Sequence, residues 1–111
     1  MISNVTGELA GEEVMTPAYW RRQLRSPVRF ERGLRAAVEQ TSTVFVELGP
    51  RPVLCALGLD ALGAAYPFVP SQRGKGDGLG ELASAAAALF VHGVEWRRPH
   101  AGAAPRKVAL P

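Results

Sequence analysis

The chain is short of every residue type that could clamp a fold covalently or through a metal. Its 111 residues hold one cysteine, Cys55, and two histidines, His92 and His100. One thiol cannot close an internal disulfide, and three scattered side chains do not make the ligand set of a structural zinc site. No metal and no bound cofactor is expected in this chain. Long apolar runs are missing too. Nothing approaches the roughly 18 uninterrupted residues of a membrane helix, and the first residues lack the basic-then-apolar order of a signal peptide. The expectation is a cytoplasmic protein with no membrane contact. Two full domains would not fit in this length.

What is present is ordinary for a globular chain: 47% hydrophobic and 21% charged residues, with a formal charge of +3. A positive balance permits polyanion binding only where the basic residues share a surface.

Met1 to Val5 is apolar enough for a short strand, with Thr6-Gly7 as its exit turn. Thr16 is suited to cap a helix and Pro17 to open it, because proline's missing N–H costs nothing in the first turn. That helix should run to about Arg25. At Ser26-Pro27 the proline disfavours helical geometry in the residue before it, so one helix should end and Ser26 should cap the next. In this second helix Phe30, Leu34, Ala37 and Val38 share a face, while Arg29, Arg32, Arg35 and Glu39 point elsewhere. Thr43 to Leu48 is β-branched, aromatic and apolar on both faces except at Glu47, the pattern of an interior strand in a parallel sheet.

Gly49-Pro50 should end that strand, Pro52 to Leu62 should form a helix carrying Cys55, and Tyr66 to Val69 a further strand. Asp77 or its neighbourhood should cap a helix through Leu79, Leu82, Ala86, Leu89 and Phe90, stopped by Gly93. From Pro99 the composition is that of a linker. The order is that of an α/β unit. Two short parallel strands do not make a stable sheet without neighbours, so the chain looks like part of a larger domain.

Chemistry-bearing patterns are scarce. None of Ser3, Ser26, Ser42, Ser71 or Ser84 sits in the Gly-x-Ser-x-Gly elbow of an acyl-transferring nucleophile. Cys55 lies in an apolar helical run, where burial raises a thiol's pKa and favours a packing role. His92 ends a helix, a structural position for an imidazole. Gly74 to Gly80 lacks the Lys-Ser/Thr pair of a phosphate loop. The dense feature is Arg21, Arg22, Arg25, Arg29, Arg32 and Arg35, with only Glu31 among them. A solvated basic face touching an acidic or phosphate-bearing partner suits this set better than DNA reading, since no base-reading side chains stand out on the second helix.

The order of the motifs is more specific than any one of them. Ile2-Ser3-Asn4-Val5-Thr6-Gly7 is followed by Thr16-Pro17-Ala18-Tyr19-Trp20-Arg21-Arg22-Gln23-Leu24-Arg25-Ser26-Pro27-Val28-Arg29-Phe30. Then comes Val44-Phe45-Val46-Glu47-Leu48-Gly49-Pro50-Arg51-Pro52-Val53-Leu54. The series resembles the C-terminal part of malonyl-CoA-type acyltransferase domains of modular type I polyketide synthases. Phe68-Val69-Pro70-Ser71, His92-Gly93-Val94-Glu95-Trp96 and Arg106-Lys107-Val108-Ala109-Leu110-Pro111 resemble the linker region that follows such a domain.

The resemblance implies residues 1–70 as the end of the acyltransferase domain and 71–111 as the helix and linker after it. Within the first part, Met1 to Val5 would be an outer strand of a ferredoxin-like small subdomain, and Arg29 to about Val69 would return to an α/β-hydrolase-like large subdomain. It also implies a function. In that family a serine is acylated from an acyl-CoA with help from a histidine, an arginine holds the malonyl carboxylate, and the acyl group passes to the phosphopantetheine thiol of an acyl carrier protein. Those three residues have no counterpart in this chain.

The one family catalytic position that maps here is Gln23, whose main-chain carbonyl is implied to orient that histidine; from the residues alone Gln23 is an unremarkable helix glutamine. No substrate-binding residue can be assigned. Acyl-CoA, the carrier protein and adjacent ketosynthase and acyltransferase segments are the implied partners. A non-catalytic docking module within a synthase stays open as an alternative, with nucleic-acid binding ranked last.

Overall fold

The computed structural model describes residues 1–41, 44–74 and 76–95. The expected linker from Pro99 onward, the Arg106 to Pro111 motif and Ser42 and Thr43 lie outside the described residues. Within them the chain is an α/β unit. It comprises α1 (Pro17–Gln23), α2 (Phe30–Glu39), β1 (Phe45–Glu47), α3 (Val53–Leu62), β2 (Phe68–Pro70) and α4 (Gly78–Val91). Short 3-10 turns precede α1 and follow α3.

The first residues form a tight hairpin in place of the expected strand. Ile2 and Leu9 make a single antiparallel bridge, flanked by Ser3 N–H donating to Glu8 O (2.9 Å) and Ala10 N–H to Met1 O (2.9 Å). The turn is too close for a longer ladder. It depends on Gly7, which sits at φ 72° with the Arg32 stem lying over it; a Cβ there would come within 2.7 Å of Arg32 Cγ.

The cap of α1 forms as its chemistry dictates, with Tyr19 N–H donating to Thr16 Oγ1 at 3.3 Å and Pro17 as the first helical residue. The expectation that Ser26 caps the next helix is wrong. Residues 27–29 are non-helical and α2 begins at Phe30, with no side-chain cap. The cause is tertiary: Arg29 N–H donates to Asn4 O (2.9 Å) and its Nε to Val5 O (3.2 Å), which ties this segment to the N-terminal hairpin before the helix can start.

β1 and β2 pair in parallel, with Phe45 opposite Phe68, Val46 opposite Val69 and Glu47 opposite Pro70. Alternation along each strand divides these residues between two faces. On one, Phe45 and Phe68 stack (centroids 5.0 Å, interplanar angle 14°) beneath α3, whose buried Gly58 lets the helix approach Phe68. Phe30 and Leu34 of α2 complete that side. On the other face Val69 packs with Ala85 and Leu89 of α4, joined by Val44 and Ala88. The result is a small helix–sheet–helix sandwich. Pro70 closes β2 one residue later than the sequence suggests; the parallel ladder takes its bonds from Val69 and from Ser71, whose N–H donates to Glu47 O at 2.8 Å, so no N–H is needed from residue 70.

α4 starts and stops on local signals. Asp77 accepts N–H bonds from Leu79 (3.0 Å) and Gly80 (3.1 Å). At the other end Gly93, at φ 80°, allows Gly93 N–H to reach Phe90 O and Val94 N–H to reach Leu89 O, the paired closing bonds of a Schellman end. The strand expected to lie inside a sheet is instead half of a two-stranded one among the described residues, and Val46 is 44% and Leu48 85% exposed.

Candidate functional site

Gln23 is the last residue of α1, where carbonyls run out of intrahelical partners. Its carbonyl accepts one long bond, from Ser26 N–H at 3.3 Å, which leaves a lone pair for a further donor. The helix that aims it is anchored from below. Tyr19 is buried, and its hydroxyl meets Ser3 Oγ at 2.7 Å; Ser3, the most buried side chain among those described, also accepts the Val5 N–H at 3.2 Å. Trp20 packs edge-on against Tyr19 and donates from Nε1 to Val14 O at 2.8 Å. Sequence reasoning missed Ser3 in this role, because its partners stand elsewhere in the chain and no local motif signals them.

The six arginines do not act as one surface. Arg29 holds the Asn4 and Val5 carbonyls, Arg32 pairs with Glu8, and Arg35 bridges Glu31 (2.8 Å) and the Ala61 carbonyl (3.1 Å). Arg21, Arg22 and Arg25 are exposed and make no ion pair with any described residue. These three flank Gln23.

A second polar centre joins β1 to α3. Leu54 N–H and Cys55 N–H donate to the two carboxylate oxygens of Glu47 at 3.0 and 2.8 Å, so Glu47 caps a helix whose own N-cap residue, Pro52, offers no side-chain acceptor. Desolvation pushes the Glu47 pKa up, but the N–H bonds from Leu54 and Cys55 outweigh it and hold the carboxyl below its ordinary value. Burial, then the neighbouring Glu47, push the Cys55 thiol up to about 11. It is protonated at neutral pH and a poor nucleophile, in line with a packing role.

The cavity beside it, about 110 Å³ among Phe30, Phe45, Leu54 and Phe68, is well below the few hundred Å³ of a cofactor or substrate pocket. Ser71 fastens the turn after β1, accepting Gly49 N–H at 3.1 Å, and Ser84 donates to the Gly80 carbonyl of its own helix. No serine among the described residues bonds a histidine, and His92 sits exposed at the end of α4. Among the described residues there is also no group of three side chains able to hold a metal, and no helix long and apolar enough to cross a membrane.

No protein-family model matches the chain. Individual curated proteins do. It is 36% identical over 120 residues to a spectinabilin polyketide synthase system protein of Streptomyces orinoci, covering 100% of this chain and 6% of that protein. It is 42% identical over 116 residues to a polyketide synthase of Streptomyces halstedii, covering 98% of this chain and 2% of that one. An erythronolide synthase of Saccharopolyspora erythraea is 38% identical over 112 residues, covering 98% and 3%. The chain is thus homologous to a short stretch of very long polyketide synthases.

Proposed function

We propose that the chain is the C-terminal part of an acyltransferase domain of a modular polyketide synthase, residues 1–70, followed by a helix and linker, residues 71–111. The complete domain would move malonyl or substituted-malonyl units from CoA to the phosphopantetheine thiol of an acyl carrier protein. The observation that carries this reading is homology to polyketide synthases over 98–100% of the chain, together with the family motifs quoted above. The ferredoxin-like and α/β-hydrolase-like assignments of its two parts belong to the same proposal.

Gln23 is the residue assigned to catalysis, through its carbonyl. A histidine supplied by the rest of the domain would donate Nδ1–H to that oxygen, fixing the tautomer and leaving Nε2 free to take the serine proton. An aspartate does this work in a hydrolase triad. The free lone pair at the end of α1 and the Ser3–Tyr19 anchor beneath it support this assignment. Because the carbonyl acts and the side chain does not, Gln23→Ala in the assembled domain should keep most of the acyl-transfer rate. A loss as large as that from removing the nucleophile would refute the assignment.

The 111 residues alone should not become acylated by labelled malonyl-CoA, since the nucleophile and base are elsewhere. Stable covalent labelling of the isolated chain would overturn the proposal. A second reading, a docking module for an acidic carrier protein, is favoured by Arg21, Arg22 and Arg25, which are exposed and pair with no described acid. It predicts carrier-protein capture that is lost when these three are changed to glutamine.

A further inference from the structure

The N-terminal hairpin grips the chain on both sides of Gln23. Upstream, its buried Ser3 Oγ meets the Tyr19 hydroxyl at 2.7 Å, about one helical turn before Gln23. Downstream, its Asn4 and Val5 carbonyls accept the N–H and Nε–H of Arg29 at 2.9 and 3.2 Å, and its Glu8 pairs with Arg32. Residues 19–29 are thus fastened at both ends to one small support. The support is itself closed, since Ser3 Oγ also accepts Val5 N–H (3.2 Å) and Ser3 O accepts Gly7 N–H (2.7 Å).

Between the anchors the bonds are local. Leu24 N–H reaches Trp20 O and Arg25 N–H reaches Arg22 O, both at 3.1 Å, and Ser26 N–H reaches Gln23 O at 3.3 Å. Trp20 Nε1 holds Val14 O, again a near neighbour in sequence. Such bonds shape the end of a helix without fixing where it lies. α1 has seven residues, well short of the roughly 12–15 at which a helix becomes marginally stable in water, and Leu24 and Val28 beyond it are 88% and 65% exposed. The hairpin therefore sets the place of the Gln23 carbonyl. Apolar contacts would serve for packing alone. The buried hydroxyl pair and the two donors of Arg29 are directional, so they fix a distance and a bearing as well.

We propose that Ser3, Tyr19 and Arg29 are positioning residues for acyl transfer, acting through the Gln23 carbonyl on the histidine that the rest of the domain supplies. This rests on the acyltransferase reading above. A bond that holds an imidazole in one tautomer and orientation tolerates little displacement, because misplacing a reacting group by about 1 Å can cost about 100-fold in rate. None of the three is assigned a contact with substrate. Their loss should act on the chemical step and leave substrate binding nearly unchanged.

The test uses the assembled domain, the 111 residues joined to the region of the Streptomyces halstedii polyketide synthase that precedes the match, beside the 111 residues alone. Tyr19→Phe removes one hydroxyl; Arg29→Lys keeps the charge but loses the Nε–H donor. In the assembled domain each should lower kcat for malonyl transfer about tenfold, as for a displacement of a fraction of an ångström, with KM for malonyl-CoA within about twofold of the parent. The double variant should cost well under the product of the two, because either break frees the same carbonyl. Asp77→Ala, which removes the cap of the distant α4, should lose stability yet keep the parent kcat. In the 111 residues alone, Leu24 N–H should exchange about three- to tenfold faster in Tyr19→Phe, as the last turn of α1 loosens.

Should Tyr19→Phe fail to fold, Arg29→Lys decides. Unchanged kcat in a folded variant, a raised KM at unchanged kcat, a double variant at the full product, or an equal loss of kcat in Asp77→Ala overturns the clamp while leaving the acyltransferase reading intact. Leu24 exchange that ignores the Tyr19 hydroxyl overturns it too, and that measurement needs no upstream segment. A folded parent domain that moves no malonyl group refutes the acyltransferase reading, and this inference with it.

Discussion

Replacing Gly58 with alanine sets two known effects against each other. Gly58 lies inside α3, where alanine is favoured over glycine by roughly 1 kcal/mol, so helix propensity alone predicts a more stable protein. Packing predicts the reverse. A Cβ on residue 58 would stand 2.2 Å from Phe68 Cε1 and 2.6 Å from Cζ, whereas carbon atoms in contact keep about 3.5–4.0 Å. One partner must retreat by more than ~1 Å. Phe68 can retreat only by disturbing its stack on Phe45, the residue opposite it in the ladder.

Overpacking costs about 1–3 kcal/mol, and so severe an overlap belongs at the upper end. Set against the propensity gain, Gly58→Ala should be less stable by about 2 kcal/mol. The assay is urea unfolding followed by helical ellipticity, with a stabilising osmolyte in every sample to secure a folded baseline for so small a core. In a Phe68→Leu background the same substitution should cost less than half as much, because the smaller side chain vacates the overlap. Gly58→Ala as stable as the parent, or an equal cost in both backgrounds, would refute the close approach of α3 to the sheet as the reason for a glycine here.

Ser3→Ala should cost about 1–3 kcal/mol, since it strips the buried Tyr19 hydroxyl and the Val5 N–H of a partner; a urea midpoint unchanged from the parent would contradict that accounting. Stability should also fall at both ends of the pH range. Glu47, with a folded pKa below the ordinary carboxylate value, contributes stability that is present above that ordinary value and lost as pH drops through the folded one. Glu47→Gln should flatten this acid limb and speed amide exchange at Leu54 and Cys55. Cys55 contributes stability that is complete below about 9.0 and lost as pH rises toward about 11, so Cys55→Ala should flatten the alkaline limb. Thiol reagents should label Cys55 slowly at neutral pH in the folded chain.

The elements legible in the sequence were those whose chemistry is local. Thr16 with Pro17, Asp77 and Gly93 each act on backbone groups within a few residues, and each does in the structure what its residue type promises. The face of α2 was legible for the same reason, because Phe30, Leu34, Ala37 and Val38 carry their own period. Ser26 failed as a cap because Arg29 is captured by carbonyls more than twenty residues earlier, and a local signal competes poorly with a tertiary anchor. The caps on α3 and on the turn after β1 were illegible for a related reason. Glu47 reaches seven and eight residues forward and Ser71 twenty-two residues back, beyond any spacing rule. At the candidate site, Gln23 carries no signature of its own, since the role proposed for it uses a backbone carbonyl that every residue possesses.

The arginines show how such reach alters an electrostatic reading. Counted along the chain, six positive residues suggest one broad field. In the structure Arg29 and Arg32 are spent on the N-terminal hairpin, with the Arg32 stem also filling the space over Gly7, and Arg35 spans α2 and α3. Their loss would be felt as stability, because a guanidinium that anchors backbone carbonyls also packs through its stem. Of the six, Arg21, Arg22 and Arg25 neither pair with a described acid nor hold a described carbonyl through their side chains; Arg21 and Arg22 stand in the last turn of α1 and Arg25 two residues beyond Gln23. In the docking reading, steering of an anionic partner draws on these three positions. Because they are exposed, that steering weakens as salt shortens the Debye length, whereas the hairpin contacts, being short, do not depend on it to the same degree.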